Sequence, residues 1–174
     1  LEITFACDKG KLGKIIGKCI STFGFARTAE VLDNIKALGY KYSTKGALTV
    51  AVCDATIPPQ KKEIIDNAEA EIDKIIRQFR RGFITNDERY RLTINVWDKA
   101  TKDVANALTA NMDQFNPINM MAVSGARGSM QQIKQLSGMR GLMNDPTGKV
   151  IEIPVKSSFR EGLSVLEYFI SSHG

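Results

Sequence analysis

Histidine is nearly missing from this chain of 174 residues; His173 is the single one. One imidazole does not suffice for a histidine zinc site, a histidine-centred nucleophilic triad or a facial triad. Beside the end of a helical pattern it reads as an exposed or interface residue rather than a base. Cysteine is scarce as well. Cys7, Cys19 and Cys53 are odd in number, far apart and without paired spacing, so they read as reduced thiols of a cytoplasmic protein rather than a disulfide framework. No stretch is apolar for long enough to span a bilayer. No basic n-region precedes an apolar run at the start, an initiator Met is missing, and both ends read as cut.

The lack extends to catalytic motifs. Gly148-Lys149-Val150 sits at the wrong spacing for a phosphate-binding loop, and Val150 stands where a hydroxyl would hold magnesium. No Asp-x-Asp pair is present to chelate two metals, and no serine sits in a nucleophile elbow. The residues alone therefore point away from catalysis by this chain. A hydrophobic content of 43%, a charged content of 25% and a net charge of +5 are those of an ordinary globular protein. The positive balance suits a nucleotide or nucleic-acid setting without requiring one, and no block of like charge forms a tail.

What the chain does contain is a phrase written twice. Ser124-Gly125-Ala126-Arg127-Gly128-Ser129-Met130 returns as Ser137-Gly138-Met139-Arg140-Gly141-Leu142-Met143, identical at five of seven positions. Glycine admits backbone conformations and close approaches that a Cβ blocks, and arginine presents a fork of donors matched to phosphate or carboxylate. The polar segment 131–136 between the copies is long enough for one short helix. Two readings stand: a loop that approaches a polyanion, or two glycine-rich helix caps with solvated arginines.

The clearest structural signal lies in the middle. Ile65, Ala68, Ile72, Ile75 and Phe79 recur at heptad spacing, as do Tyr90, Ile94, Trp97, Thr101, Val104 and Leu108. Between them Arg81-Gly82-Phe83-Ile84 breaks the period and Thr85-Asn86-Asp87-Glu88 supplies a capping box. The spacing predicts antiparallel helices over about 60–80 and 86–112, projecting roughly 30 Å at 1.5 Å per residue. Such a hairpin serves either as a docking post or as part of a bundle.

Before it, residues 11–23 and 27–38 read as short helices, the second closed by Gly39 as C′ cap. Tyr40-Lys41-Tyr42 and Leu48–Val52 read as strands, and Pro58-Pro59 closes the module. After the hairpin, residues 144–148 signal a turn and Lys149–Val155 a short strand. Ser158-Phe159-Arg160-Glu161 reads as a second capping box opening a last helix, with Leu163, Val165, Leu166, Phe169 and Ile170 on a broad apolar face. The expected fold is mainly α with short β-strands (α+β): a small N-terminal helix/strand module, the projecting hairpin, a glycine-rich loop region and a truncated C-terminal helix.

Residues 124–143, together with the run from Ser158-Phe159-Arg160-Glu161-Gly162-Leu163 to Leu166-Glu167-Tyr168-Phe169-Ile170-Ser171-Ser172-His173-Gly174, closely resemble the beta-prime subunit of bacterial DNA-directed RNA polymerase. The resemblance covers essentially the whole chain, most firmly from about Ile57 and least well over the first thirty residues. It implies an internal piece: residues 1–56 as the end of the pore domain, 57–157 as the funnel around the secondary channel, with its rim-helix hairpin at about 60–112, and 158–174 as the start of the bridge helix. In that family the channel admits nucleoside triphosphates and receives the extruded RNA 3′ end.

By the same resemblance Arg127 meets the incoming triphosphate. Lys134, Pro146 and Phe169 line inhibitor-sensitive surfaces beside the bridge helix, and Arg140 and His173 lie next to it. The hairpin tip, with Arg80, Arg81, Phe83, Thr85 and Asn86, matches the docking site of transcript-cleavage-type factors. The implied partners are the beta, alpha, omega and sigma subunits, DNA template, nascent RNA, triphosphates and secondary-channel factors, with no membrane. The implied location is cytoplasmic and nucleoid-associated. Magnesium and zinc would be held by other regions of the parent enzyme, and this segment would bind no cofactor and catalyse nothing alone. Asp33 matches the aspartate of an alarmone site known in some members, but Ala26 replaces its lysine with Arg27 beside it, so that site is not assigned. The competing reading is an autonomous helical-hairpin module contacting nucleic acid or a protein. The apolar face of residues 163–170 separates the two, because a self-sufficient module buries it.

Overall fold

In the computed structural model, which describes residues 3–172, the chain divides into two units: Leu1–Asp54 with Asp113–Ser129, and Ala55–Met112 with Met130–Gly174. Among the described residues the regular structure is helical, with no named strand and only two isolated β-bridges. The mainly α expectation holds, whereas the short strands do not form.

In the first unit α1 spans Lys9–Lys45. Asp8 starts it by accepting from the Lys11 amide at 2.7 Å. The element is interrupted at Gly24 (φ 74°, ψ 177°), where the Thr28 hydroxyl donates to the Gly24 carbonyl at 2.7 Å. The expected break between two helices is there, but the second helix does not stop at Gly39. It runs on through Tyr40-Lys41-Tyr42 and closes at Gly46, whose amide bonds to the Tyr42 carbonyl at 2.8 Å. Leu48–Val52 also fails to form a strand; the chain is irregular there and enters a single 3₁₀ turn at Val52–Asp54. β-Propensity reflects packing against neighbouring strands, and no neighbour exists here. A further helix, α2, covers Pro117–Ser124 and was not expected. Asn116 caps it, its side chain accepting from the amides of Ile118 (3.0 Å) and Asn119 (3.4 Å), with Pro117 at the first helical position.

The second unit is built on the hairpin, α3 at Lys61–Arg80 and α4 at Asn86–Asn111, within a residue of the expected bounds. Thr85 caps α4 by accepting from the Glu88 amide at 3.3 Å. The helices run antiparallel. Asn111 at the end of α4 donates to Gln60 before α3 at 2.9 Å, while Arg89 near the start of α4 lies over the Phe79 ring at 5.4 Å.

The core joins Ala68 of α3 to Trp97, Ala100 and Val104 of α4 and to Met139, with Ile64, Ile72, Val96 and Leu142 packed around it. The real seam therefore differs in detail from a strict heptad. Ile64 enters the cluster, Phe79 is exposed, and Thr93 and Ala100 are buried. The reason is that α4 is covered on a second side. Tyr90 donates to the Val150 carbonyl at 2.9 Å, and Thr101 lies against Gly141. The hairpin stem is held on one side by the following segment, while its outer face, with Asp66, Glu71, Lys99 and Lys102, and its tip are exposed.

That segment contains α5, Met130–Ser137, as expected between the twin phrases. The turn at 144–148 forms as expected: Asp145 Oδ1 accepts from Thr147 N (2.8 Å), Thr147 Oγ1 (2.6 Å) and Lys149 N (2.9 Å). Residues 149–155 make only the bridges Gly141↔Val155 and Asn144↔Val150. Pro154 has no amide to donate, so the ladder does not extend. The box at Ser158 and Glu161 has its hydrogen bonds, at 2.7 Å and 3.4 Å, yet it closes a turn that ends at Gly162 rather than opening a helix. The last helix, α6, begins at Val165 under a second box, Ser164 with Glu167, and runs to Ser171.

Candidate functional site

The twin phrases first terminate helices. Ser124 ends α2 and Ser137 ends α5. Gly125 then adopts φ 73°, ψ 13°, and the amides of Gly125 and Ala126 bond back to Ala122 (3.1 Å) and Met121 (3.2 Å). A Cβ at Gly125 would lie 3.1 Å from the Lys9 Cβ in addition to the left-handed strain. In the second copy Gly141, at φ 84°, brings the backbone against Thr101, where a Cβ would sit 3.2 Å from both Oγ1 and Cγ2.

The two arginines then diverge. Arg127, in the first unit, is exposed and forms no ion pair among the described residues. Arg140, in the second, is half-buried. Its guanidinium lies over the Phe159 ring at 4.7 Å, and its Nε is buried without a hydrogen-bond partner. It borders an open groove of about 780 Å³ that Phe159, Leu163, Val165 and Tyr168 also line. Lys134 is half-buried on α5, Pro146 is exposed in the turn and Phe169 is exposed on α6; none of them lines that groove. His173 lies outside the described residues. Arg80, Arg81, Phe83, Thr85 and Asn86 are all exposed at the hairpin tip, Phe83 at 73%. There the Asn86 side chain accepts from Arg89 at 3.0 Å.

The apolar face of α6 is bare. Val165 is 89% exposed, Tyr168 68%, Phe169 67% and Leu166 59%, and only Ile170 turns inward.

A set of long-range polar ties was not read from the sequence. Arg89 NH2 donates to Glu152 Oε1 at 2.9 Å, and this bond holds the Glu152 carboxyl below its usual range. Lys61 pairs with Glu161, and Lys156 pairs with Glu69. Glu167 accepts from the amides of Lys156, Ser157 and Ser164, each at 3.0 Å, and from both serine hydroxyls. Burial pushes its carboxyl up, but the serine hydrogen bonds outweigh that and bring it down to about 2. The only local signal was the spacing Ser164-x-x-Glu167, masked by the similar pair six residues earlier.

A carboxylate whose folded pKa is depressed stabilises fully above its unfolded value and loses that contribution as pH falls through the folded one. Amide protection at Ser157 and Ser164, corrected for intrinsic exchange, should therefore decline between pH 4.5 and about 2. In Glu167→Gln that decline should disappear. A wild-type profile as flat as the variant's would show that this carboxylate does not hold the turn.

Among the described residues no three histidine, cysteine, aspartate or glutamate side chains come together as a metal site, and no helix is long and apolar enough to cross a membrane. The described cysteines are free, Cys19 buried and the other two exposed.

Residues 84–160, from the hairpin turn into the turn that precedes α6, match the family described as RNA polymerase Rpb1, domain 4. A DNA-directed RNA polymerase subunit beta' of Desulforamulus reducens is 58% identical over 172 residues, covering 99% of this chain. Those of Clostridium botulinum and Clostridium acetobutylicum are 56% and 58% identical over 174 residues, covering all of it. The chain belongs to the bacterial RNA polymerase beta-prime family. It spans 14–15% of the length of the curated relatives it matches. The alignment with the Clostridium relatives takes in all 174 residues, α1 included.

Proposed function

We propose that this chain is a non-catalytic wall of the polymerase secondary channel. Its hairpin tip is the docking post for channel-entering factors, and Arg127 is a contact for the incoming triphosphate. Residues 1–56 are then the end of the pore domain, 57–157 the funnel and 158–174 the start of the bridge helix. Nucleotidyl transfer, the magnesium and zinc centres, and binding of the DNA template and nascent RNA belong to the parent assembly with the beta, alpha, omega and sigma subunits. That assembly works in the cytoplasm.

The observation that carries this reading is the bare face of α6. Four large apolar side chains more than half exposed on one short helix are what remains when a covering neighbour is missing. A self-sufficient hairpin module would have packed them. The exposed guanidinium of Arg127 on a glycine-framed turn adds a phosphate-matched donor fork.

In the assembled polymerase, Arg127→Ala should raise the triphosphate concentration needed for half-maximal addition about 10- to 100-fold, the worth of a charge-assisted hydrogen bond. The rate at saturation should change far less. Equal kinetics at every triphosphate concentration would remove Arg127 from the role. At the tip, Phe83→Ala or the pair Arg80→Ala and Arg81→Ala should weaken action of a transcript-cleavage factor about tenfold and leave basal elongation intact. Parallel loss of both activities would end the docking reading.

A further inference from the structure

We propose that Lys156 and Glu167 form a latch that fixes the first turn of α6 to both helices of the hairpin, each acting as a positioning residue. One residue of an irregular segment makes the connection. The Lys156 ammonium pairs with Glu69 on α3 and lies over the Trp97 ring of α4 at 5.4 Å. Its own backbone amide donates to Glu167 Oε1 at 3.0 Å. Glu167 then carries the link into α6, because its other oxygen takes the Ser164 amide and hydroxyl, both at 3.0 Å, and the Ser157 hydroxyl at 2.9 Å. The Glu167 amide donates back to Ser164 Oγ at 3.3 Å, closing the helix cap on the same carboxylate.

The geometry explains why α6, with its exposed apolar face, has a defined start at Val165: the Ser164–Glu167 cap fixes its first turn, and the amides of Lys156 and Ser157 hold that carboxylate in place. The Lys156–Glu69 pair is partly exposed and would be weak alone. Its role is directional: it sets where the amides of Lys156 and Ser157 present themselves to Glu167, and the Trp97 face limits the ammonium to one side of the hairpin. Tension or displacement of the hairpin is thereby delivered to the α6 cap through two side chains. The latch goes beyond the channel reading and does not depend on it.

The test is site-resolved hydrogen exchange on the full-length protein in its assembly. Glu167→Gln keeps the shape but replaces one acceptor oxygen by a donor. It should speed exchange at the amides of residues 156, 157 and 164–168 about tenfold, leaving α3 and α4 protected. Lys156→Met keeps an unbranched apolar stem over Trp97 and removes the charge. Exchange at residues 164–168 should still rise severalfold, about three- to tenfold, although the Lys156 side chain touches none of those amides. Lys156→Arg, which retains charge and ring contact, should restore wild-type rates. The double variant Lys156→Met with Glu167→Gln should exchange no faster than Glu167→Gln alone, because both act on one connection. Wild-type exchange at 164–168 in Lys156→Met would overturn the latch. So would simultaneous loss of protection throughout α3 and α4, which marks a merely structural lysine. Lys156 is partly exposed, so its variant keeps the inference testable even where Glu167→Gln fails to assemble.

Discussion

Replacing Trp97 by alanine should lower the local stability of the α3–α4 hairpin by about 3–5 kcal/mol, the range for deleting a buried aromatic side chain from a packed cluster. Trp97 is 4% exposed and is the largest member of a cluster otherwise made of Ala68, Ala100, Val104 and Met139. Two of its neighbours are alanines, which have no side chain long enough to collapse into the space. The cavity therefore persists, and the cost falls in the upper part of the range. Trp97→Phe retains most of the volume and should lose about 1–2 kcal/mol. Exchange protection of the α4 amides from Thr93 to Leu108 is the measurement, since those amides open with the hairpin. A Trp97→Ala protein whose α4 amides exchange at wild-type rates would place the hairpin's support elsewhere, in the ties to Val150, Glu152 and Glu161.

Those ties also mark where the sequence stopped being readable. The hairpin was legible because its determinants are local: apolar positions every three or four residues, a glycine at the turn, and Thr85 three residues before Glu88. Side chains this close in sequence meet whatever the rest of the chain does. The strand assignments failed for the opposite reason. Tyr40-Lys41-Tyr42 has β-forming aromatics, but a strand exists only with a partner, so the helix that satisfied its own amides won. At α6 two Ser-x-x-Glu pairs competed, and local pattern did not choose between them. Gly162 between them ended the first as a turn.

Of the candidate site, Arg127 and the tip residues, named from motif and likeness, are exposed in the structure. Arg140 was half legible. Its phrase was clear, but its stacking on Phe159 depends on a residue 19 positions away. The carboxylates that fix the surrounding segment pair with bases 63, 87 and 100 residues distant. No periodicity encodes such pairs.

The most distant of those pairs gives the second large expected effect. Lys61 is 5% exposed at the first turn of α3, and Glu161 meets its ammonium from the turn before α6. Glu161 also accepts from the Ser158 amide (2.7 Å) and hydroxyl (2.9 Å); burial pushes its carboxyl up, and the bonds from Lys61 and Ser158 outweigh that and leave it lowered. Removing the carboxylate leaves a buried cation and a turn without its acceptor. Removing the lysine leaves a carboxylate that is one-third exposed and still hydrogen-bonded. The two deletions are therefore unequal. After allowance for the exposed side of the pair, Glu161→Ala should cost about 2–3 kcal/mol, whereas Lys61→Met, which fills the same space without charge, should cost under about 1 kcal/mol. The double variant Lys61→Met with Glu161→Ala should be more stable than Glu161→Ala alone, because the unpaired cation is gone. Exchange protection at the Glu161 and Gly162 amides and at the first turn of α3 reads all three. If Lys61→Met proves the more damaging single change, the pair is held together by the lysine's reach rather than by the cost of leaving it buried, and the asymmetry argued here is wrong.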